Sequence, residues 1–365
     1  MLNVAIIGFG KMGQIRSHAF DGFGNCNLSW VCDSRKIQGD FKFTSNPEDI
    51  FSDSSVDAVF ICTPNYLTKD LVVMALDAGK HVFAEKPPGI SVAEVKEMMA
   101  AEARNPGLRL KFGFNHRYHE SMLEAKRRVD SGEYGRILWM RGRYGKGVDK
   151  NFFKDWRSKK STAGGGILMD QGIHMLDLLL MFAGRFDEVK SFCSNLYWNL
   201  DIEDNVFALL RNREGIVASL HSTMTQWRHL FALEIFLEKG YMVVNGVLSS
   251  TNSYTTTYGK EVLTIAKNRS AAPQAGHSHE ERFVYDEDGS WKDEIEEFVR
   301  CIREDKPVEV GNTQDALKLM TLIEKIYEDG KNEVRCDDSS PYGKQAHPKK
   351  EYPLASWEAV DQVCH

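Results

Sequence analysis

The sequence lacks the features that define several large protein classes. Its seven cysteines form no Cys-x-x-Cys pair, which argues against a disulfide framework or a thiolate zinc site and predicts a reducing, cytoplasmic compartment. No run approaches the ~18–20 apolar residues of a membrane span, and no signal peptide precedes Val4-Ala5-Ile6-Ile7. With 46 basic and 52 acidic residues, the net charge is −6 and no basic stripe favours nucleic acid or membrane binding.

The chain of 365 residues is long enough for two domains of ordinary globular composition. Residues 1–118 alternate short β-branched runs with helical stretches, which predicts a parallel Rossmann-like sheet. Residues 119–335 predict a second α+β domain on a large open, mainly antiparallel sheet, followed by a polar tail over 336–365. The open sheet, which includes the polar strand-prone run Ser249 to Tyr258, suits a homodimer or homotetramer interface.

A glycine-rich segment follows the first predicted strand and opens a predicted helix. The segment is Gly8-Phe9-Gly10-Lys11-Met12-Gly13. Its three glycines suit a tight turn, the approach of a pyrophosphate and close packing of helix on strand. Asp33 follows Gly13 by 20 residues and ends the second predicted strand, as expected for a carboxylate that binds a ribose hydroxyl. The alternative is a glycine-rich turn without a ligand.

The residues around Asp33 bear on the choice of cofactor. The charge of Asp33 would repel a 2′-phosphate and so favours NAD over NADP. Arg35, beyond Ser34, and Lys11 in the glycine segment each offer a cation to such a phosphate. The interpretation is therefore NAD, with NADP left open.

Two further segments follow the ends of predicted parallel strands, where ligands bind in open α/β sheets. Thr63-Pro64-Asn65 follows the third hydrophobic strand, and Glu85-Lys86-Pro87 follows the next. A lysine before proline is held extended, so Lys86 can point into the crevice and donate to a substrate oxygen. The alternative is a surface lysine before a turn.

The third segment begins at Gly164-Gly165-Gly166 and continues into a predicted helix. Asp170 and His174 lie four residues apart, on one helical face, so the carboxylate can orient the imidazole and raise its basicity. An imidazole held in this way can act as a proton acceptor near neutral pH. The alternative for His174 is a helix histidine whose hydrogen bonds are satisfied within the fold.

These segments, in this order, resemble the glucose–fructose oxidoreductase / inositol dehydrogenase (Gfo/Idh/MocA) family over residues 3–330. Asn115-His116-Arg117 and the late Asp315-Ala316-Leu317 fit the same resemblance. The resemblance implies an NAD(P)-dependent oxidoreductase that acts on a carbinol or keto carbon of a sugar, nucleotide-sugar or cyclitol.

The resemblance also implies roles for individual residues. Lys86, Asp170 and His174 match the family's catalytic trio, with His174 taking the hydroxyl proton and Lys86 stabilising charge on the oxygen. Asp170 and His174 are expected to contact the substrate as well. The dinucleotide contacts are expected from Gly8, Phe9, Gly10, Lys11, Met12, Gly13, Asp33, Ser34, Arg35, Thr63, Pro64, Asn65, Glu85 and Lys86.

The remaining candidates on the substrate side are Arg117, Tyr144, Lys146, Trp156 and Arg157. A tryptophan can stack on a sugar ring, and an arginine can hold a carboxylate or phosphate through two hydrogen bonds. Ordinary packing within the fold is an equal alternative for each of these residues.

No metal site is predicted, because His277, His279 and Glu280 lack supporting ligand spacing. Two other functions remain open, an NAD-assisted glycoside hydrolase and a non-catalytic NAD(P)-binding regulator.

Overall fold

Six parallel strands build the first sheet of the computed structural model, which describes residues 1–20, 25–148, 151–198, 200–248, 260–268 and 279–331. The strands are β1 (Leu2–Ile7), β2 (Cys26–Cys32), β3 (Lys42–Thr44), β4 (Ala58–Ile61), β5 (His81–Glu85) and β6 (Leu110–Gly113). They run in the order β3-β2-β1-β4-β5-β6. This is the doubly wound order, in which a crevice opens beyond the carboxyl ends of β1 and β4.

Helices cover both faces of this sheet. They are α1 (Lys11–Phe20), α2 (Pro47–Ser52), α3 (Asn65–Asp77) and α4 (Val92–Arg104). Side chains cap the starts of α2 and α4: Asn46 accepts from the backbone of Glu48, and Ser91 accepts from the backbone of Glu94. The Glu94 carboxylate reaches back to the Ile90 N–H, one residue before the Ser91 N–H of a standard capping box.

The second sheet has eight strands and follows helix α5 (Glu120–Asp130). The strands are β7 (Ile137–Gly145), β8 (Glu188–Ser194), β9 (Asn205–Arg211), β10 (Val217–Thr223), β11 (Leu230–Leu237), β12 (Gly240–Asn245), β13 (Glu261–Lys267) and β14 (Glu280–Tyr285). Their order is β14-β13-β12-β11-β7-β10-β9-β8, and β7 with β10 is the parallel pair among antiparallel ones. The predicted fold class is confirmed. The run Ser249 to Tyr258, His277 and the 336–365 tail lie outside the described residues.

Two helices lie between this sheet and the first. They are α6 (Lys160–Ala163) and α7 (Ile173–Ala183). Among the described residues, the stretch Lys160–Ala183 is long and apolar enough to cross a membrane by length and composition alone, although the sequence pattern did not predict a span. Its most apolar window is 78% buried inside the protein, as in the core helix of a globular fold.

The last two helices return to the first sheet. They are α8 (Ser290–Arg303) and α9 (Thr313–Lys331). Phe298 of α8 packs edge-on against Phe60 and Phe83, with ring centroids 5.9 and 5.6 Å apart. The face of the first sheet opposite α3 and α4 is thus closed by a helix that follows the second sheet in sequence.

Candidate active site

The glycine segment forms a tight turn against the end of β4. Gly8 has φ +90°, and a Cβ there would lie 2.8 Å from the Cys62 carbonyl carbon, so a side chain is excluded. At Gly13 a Cβ would lie 2.2 Å from the Gly8 oxygen. At Gly10, by contrast, a Cβ would meet nothing within 4 Å. The turn therefore packs closely at both ends and leaves an open cradle at its centre, next to the N-terminus of α1.

Asp33 lies beside this cradle. Its carboxylate accepts a hydrogen bond from the Phe9 N–H at 2.8 Å and from the Arg35 N–H at 2.9 Å. Burial opposes ionisation, but these hydrogen bonds and the Arg35 guanidinium keep the pKa of Asp33 below its ordinary value. Arg35 is 70% exposed, and Ser34 between them is also exposed. The predicted carboxylate is therefore ionised next to the glycine turn.

Two other predicted cofactor residues lie near the cradle. The Thr63 hydroxyl is buried and has no hydrogen-bond partner among the described residues, while Pro64 is half-buried at the start of α3. At the N-terminus of α1, Lys11 is exposed and Met12 half-buried. Partial burial, together with the charges of Arg157 and Lys146, lowers the pKa of Lys11. An unsatisfied buried hydroxyl beside an open glycine turn fits a site that receives a polar ligand.

Asn65 and Glu85 are engaged within the fold, which corrects their predicted role. Asn65 is buried and donates to the Ala163 carbonyl at 2.8 Å, so its amide links α3 to α6. The Glu85 carboxylate accepts from Arg16 Nε at 2.6 Å, and Arg16 is fully buried. A buried guanidinium needs a carboxylate partner, which is why Glu85 points away from the crevice that Lys86 faces.

Lys86 and Asp170 meet across the crevice, as the sequence predicts. Lys86 Nζ donates to the Asp170 carbonyl oxygen at 2.6 Å and lies 3.5 Å from the carboxylate oxygen Oδ1. Burial lowers the pKa of Lys86, and Arg157 and Lys146 act in the same direction against the raising effect of Asp170. The ammonium group thus sits in a cationic, partly desolvated environment with donors to spare.

The Asp170 carboxylate is held by two lysines. Lys146 follows β7, is buried and donates to Oδ2 of Asp170. Together with Lys86 it keeps the pKa of Asp170 well below its usual range despite burial.

The segment Leu168–Gly172, which carries Asp170, is a π turn, in which i→i+5 hydrogen bonds replace the i→i+4 pattern. The prediction that Asp170 orients His174 is therefore wrong. The backbone is not a regular α-helix here, and no described hydrogen bond joins the two side chains.

His174 stacks instead on a second histidine. The rings of His174 and His116 lie 3.9 Å apart at 19°, and both residues are buried. The Nδ1 atom of His174 is buried without a hydrogen-bond partner among the described residues. Burial, followed by the charges of Lys86 and His119, holds the pKa of His174 well below its ordinary value. At neutral pH the imidazole is therefore uncharged and able to accept a proton.

His116 is held from two sides. Its Nε2 lies 3.2 Å from the Tyr144 hydroxyl, and its Nδ1 lies 3.2 Å from the Asn115 side-chain oxygen. Burial lowers the pKa of His116 strongly, with His174 contributing next. Tyr144 thus contacts His116, which in turn stacks on His174.

Arg117 turns away from this group, which corrects its predicted place in the substrate pocket. Its Nε and Nη2 donate to the two oxygens of Asp177 at 2.7 and 2.5 Å, and Nη1 donates to Asp315 at 2.8 Å. The side chain is 11% exposed. Because a buried guanidinium takes the carboxylates within reach, all its nitrogens serve to hold α7 and α9 to the turn after β6.

Trp156 and Arg157 remain at the edge of the site. The guanidinium of Arg157 lies 4.3 Å from the centre of the Trp156 ring and also pairs with Asp155 at 3.2 Å. One face of Trp156 is therefore covered by Arg157. The charge of Arg157 acts on Lys86 and Asp170, so this arginine contributes to the positive potential of the crevice.

The glycines before the π turn allow a close approach of other segments. A Cβ at Gly166 would lie 2.1 Å from the Glu203 carbonyl oxygen, and one at Gly165 would lie 2.0 Å from the Tyr327 hydroxyl. The Glu203 carboxylate accepts from the Gly166 N–H at 2.8 Å and the Leu168 N–H at 3.0 Å. It thereby caps the start of the π turn that carries Asp170.

His116 is a neighbour of the trio that was not predicted as a site residue. It follows the carboxyl end of β6, and that position is the signal by which it could have been found. Lys146, a predicted candidate on the substrate side, follows β7 and contacts Asp170. In the parts of the chain that the structure describes, no group of three or more metal-ligating side chains could hold a metal ion.

Two family models match this chain. The oxidoreductase family model with an NAD-binding Rossmann fold matches residues 2–114, and the Gfo/Idh/MocA C-terminal domain matches residues 122–243. The chain belongs to the Gfo/Idh/MocA oxidoreductase family. The predicted resemblance is confirmed, and with it a dehydrogenase or reductase that uses NAD(P).

Named relatives of this Gfo/Idh/MocA protein include levoglucosan dehydrogenase of Pseudarthrobacter phenanthrenivorans, 27% identical over 67% of this chain and 73% of that protein. D-Glucoside 3-dehydrogenase of Escherichia coli is 25% identical over 92% of this chain and 97% of that protein. Among solved structures, levoglucosan dehydrogenase in complex with NADH has a TM-score of 0.78 at 23% identity, with 90% of this chain and 97% of that chain covered. At 23% identity, this structural similarity shows a shared fold.

The residues present fit the dinucleotide that the family uses. The open cradle at Gly10 and the N-terminus of α1 would receive the pyrophosphate, and the ionised Asp33 would accept hydrogen bonds from ribose hydroxyls. The buried Thr63 hydroxyl, which lacks a partner among the described residues, offers a further contact on the β4 side.

Proposed function

We propose that this protein oxidises or reduces a carbinol or keto carbon of a sugar, nucleotide-sugar or cyclitol, and that Lys86, His174 and Asp170 carry the reaction. Two geometric observations support this proposal. Lys86, at the carboxyl edge of the first sheet, contacts Asp170, and the buried ring of His174, four residues after Asp170, stacks on His116. Burial lowers the pKa of both Lys86 and His174.

In the direction of alcohol oxidation, His174 accepts the hydroxyl proton. Its pKa lies well below the ordinary value for histidine, so the neutral form dominates at neutral pH and no proton has to leave first. Lys86 donates a hydrogen bond to the same oxygen and stabilises the negative charge that develops as the proton leaves. Bound NAD(P) supplies the acceptor for the hydride, and in the reverse direction the donor.

Asp170 works mainly through the two lysines. Its carboxylate fixes the position of Lys86 and Lys146 and offsets part of their charge. Because the pKa of Asp170 is held low, it remains a hydrogen-bond acceptor for a substrate hydroxyl over the whole neutral range. His116 supports His174 by stacking on it and is anchored in turn by Tyr144.

We propose NAD as the preferred cofactor. The ionised Asp33 beside the glycine turn would repel a 2′-phosphate. Arg35, which is 70% exposed and pairs with Asp33 at 3.3 Å, keeps NADP possible as a second cofactor. Tighter binding of NADH than of NADPH in a fluorescence titration is expected.

The names of relatives support a polyhydroxylated ring as the substrate class, since they denote enzymes of sugars and inositols. Lys86, Lys146 and Arg157 exceed the acidic groups Asp170 and Asp155 by one positive charge in this part of the crevice. Such an excess suits an oxygen that becomes negative during the reaction.

The test is a screen of sugars, nucleotide-sugars and cyclitols for a change in nicotinamide absorbance, with both NAD and NADP. Stoichiometric reduction of the cofactor by one class of polyol is expected. Substrate cleavage with no net change in the cofactor would instead support an NAD-assisted glycoside hydrolase. Tight dinucleotide binding without turnover of any member of a broad panel would support a non-catalytic regulator.

We propose a homo-oligomer, a dimer or tetramer, that pairs through the outer face of the eight-stranded sheet. Phe192, Phe207 and Leu209 are 63%, 51% and 57% exposed there, and Trp139 stacks on Phe236 at 4.1 Å in the same face. Large apolar side chains exposed in one face of a sheet favour contact with a second copy over solvent. The mass by light scattering should be at least twice that of the chain and should fall in Phe207→Glu.

The proposed compartment is the cytosol. Cys26, Cys32, Cys62 and Cys301 are free thiols in the described residues, as expected under reducing conditions. A count of free thiols in protein purified without reductant checks this proposal.

We also propose domain boundaries near residues 118 and 335. The first boundary is supported by the two family models, one of which ends at residue 114 and the other of which begins at residue 122.

A further inference from the structure

Four aromatic side chains cluster at the edge of the second sheet that adjoins the site. They are Phe153, Tyr197, Trp198 and Trp227. The ring centroids of neighbouring members lie 4.9 to 6.0 Å apart, at angles of 60° to 82°. Phe153, Tyr197 and Trp227 are 43%, 46% and 65% exposed. This rim cluster, as we call it, therefore presents open ring surfaces that the fold itself does not cover.

Backbone hydrogen bonds connect the loop that carries Trp227 to Lys146. Lys146 donates through its N–H to the Thr223 carbonyl at 3.0 Å, and its own carbonyl accepts from the Gln226 N–H at 3.3 Å. A Cβ on Gly147 would lie 3.9 Å from the ring of Trp227. The exposed indole thus lies beside the residue that follows Lys146, the lysine that contacts Asp170.

The loops that carry the cluster are fixed before any ligand binds. The buried Asp204 carboxylate accepts from the backbone N–H groups of Tyr197 at 2.8 Å and Trp198 at 3.2 Å. The indole N–H of Trp198 donates to the Met224 carbonyl at 3.1 Å, which joins this loop to the one that carries Trp227. A preorganised platform loses little conformational entropy when a ligand stacks on it.

We infer that the rim cluster binds a second sugar ring, so that the substrate is a glycoside whose reacting ring lies at Lys86 and His174. This inference rests on the proposed function and specifies its substrate class. A pyranose has a face of C–H groups that packs on an aromatic ring, while its hydroxyls stay hydrated at the rim. Trp156 is less suited to this role, because Arg157 covers one of its faces.

The position of the cluster favours a sugar over a partner subunit. The apolar row proposed for the oligomer lies on strand residues such as Phe207 and Leu209, in the outer face of the sheet. The rim cluster lies on the loops that leave the strand ends, beside Lys146. A sugar ring bound there would lie on the side of the site where Lys146 contacts Asp170.

The first experiment compares two substrates that share the reacting ring, a methyl glycoside and the corresponding disaccharide. In the wild type the disaccharide should have the higher kcat/KM. In Trp227→Ala the ratio of the two values should fall about tenfold, because a well-packed aromatic contact is lost. Trp227→Phe should keep most of the ratio. Leu196→Ala is the matched control, since Leu196 precedes Tyr197 in the same loop, is 89% exposed and is not aromatic.

A second measurement does not depend on turnover. Saturation-transfer NMR with cellobiose and maltose should show contact at the second ring in the wild type and loss of it in Trp227→Ala. If no sugar reduces the cofactor but this contact is seen, the proposed function fails and the sugar subsite stands. If sugars react and the Trp227→Ala ratio stays within twofold of the wild type, the subsite is overturned.

Two further results would overturn the inference. A change in oligomeric mass in Trp227→Ala, measured by light scattering, would assign the rim cluster to a subunit interface. Trp227-dependent binding of p-nitrophenyl glycosides, with no such dependence for disaccharides, would assign it to an aromatic aglycone instead of a sugar.

Discussion

Two clusters of charged side chains lie close together in this protein and have opposite composition. In the first, Arg117 lies between the carboxylates of Asp177 and Asp315. In the second, the Asp170 carboxylate lies between the ammonium groups of Lys86 and Lys146. The arginine cluster has one excess negative charge, and the lysine cluster has one excess positive charge.

The clusters also differ in how many hydrogen-bond donors they leave for a ligand. Arg117 uses Nε, Nη1 and Nη2 within the fold, and Asp177 is almost fully buried. Lys86 has three donors and spends one on the Asp170 carbonyl. In an ion pair that only stabilises the fold, all hydrogen-bonding groups have partners within the protein. In an active site, some donors stay available for the negative charge that appears on the substrate during the reaction.

The largest effect is expected from the lysine cluster and its histidine. Lys86→Ala and His174→Ala should each lower kcat by about 10²–10⁴-fold, because each removes a group that acts on the carbinol oxygen. NADH affinity and the midpoint of urea unfolding should stay close to those of the wild type, since Asp170 keeps Lys146 as its partner. Steady-state kinetics, fluorescence titration and denaturation measure the three quantities.

The matched controls for these variants are His18→Ala and Lys126→Ala, which change a histidine and a lysine away from the crevice on α1 and α5. They should leave kcat within about twofold of the wild type, as is usual for surface positions. Turnover like that of the wild type in Lys86→Ala or His174→Ala would remove the residue concerned from the proposed mechanism.

Much of the fold could be predicted, because it is set by local patterns. The alternation of short β-branched runs and helical stretches over residues 1–118 predicted the parallel sheet that β1–β6 form. That Lys86 and Asp170 belong to one site was implied by the family resemblance, and the structure shows the two in contact. Local patterns predict these strands and helices because residues that are near in sequence determine their backbone conformation, and this local preference agrees with the final fold.

The parts that could not be predicted depend on distant contacts. Arg117 meets Asp177 and Asp315, which lie 60 and 198 residues away, so no local pattern distinguishes it from a substrate arginine. The π turn at Leu168–Gly172 disrupts the helical spacing on which the pairing of Asp170 with His174 was predicted. The rim cluster is assembled from three loops and has no signature in any one of them.

The arginine cluster should respond in the opposite way to the lysine cluster. Arg117→Ala leaves the buried carboxylate of Asp177 and the half-buried one of Asp315 without their cation, so the free energy of unfolding should fall by about 3–5 kcal/mol. In the protein that remains folded at low temperature, kcat should stay within about tenfold of the wild type. Urea unfolding and steady-state kinetics on the same preparation separate the two effects.

The control for Arg117 is an ion pair of the same type on the surface. Arg211 pairs with Glu188, and their side chains are 56% and 63% exposed, so Arg211→Ala should cost less than about 1 kcal/mol of unfolding free energy. Arg117→Lys keeps the charge but loses the fork that reaches both oxygens of Asp177, so its stability should lie between those of the wild type and Arg117→Ala. A large rise in KM in Arg117→Ala, with stability unchanged, would return Arg117 to the substrate pocket and remove the distinction between the two clusters.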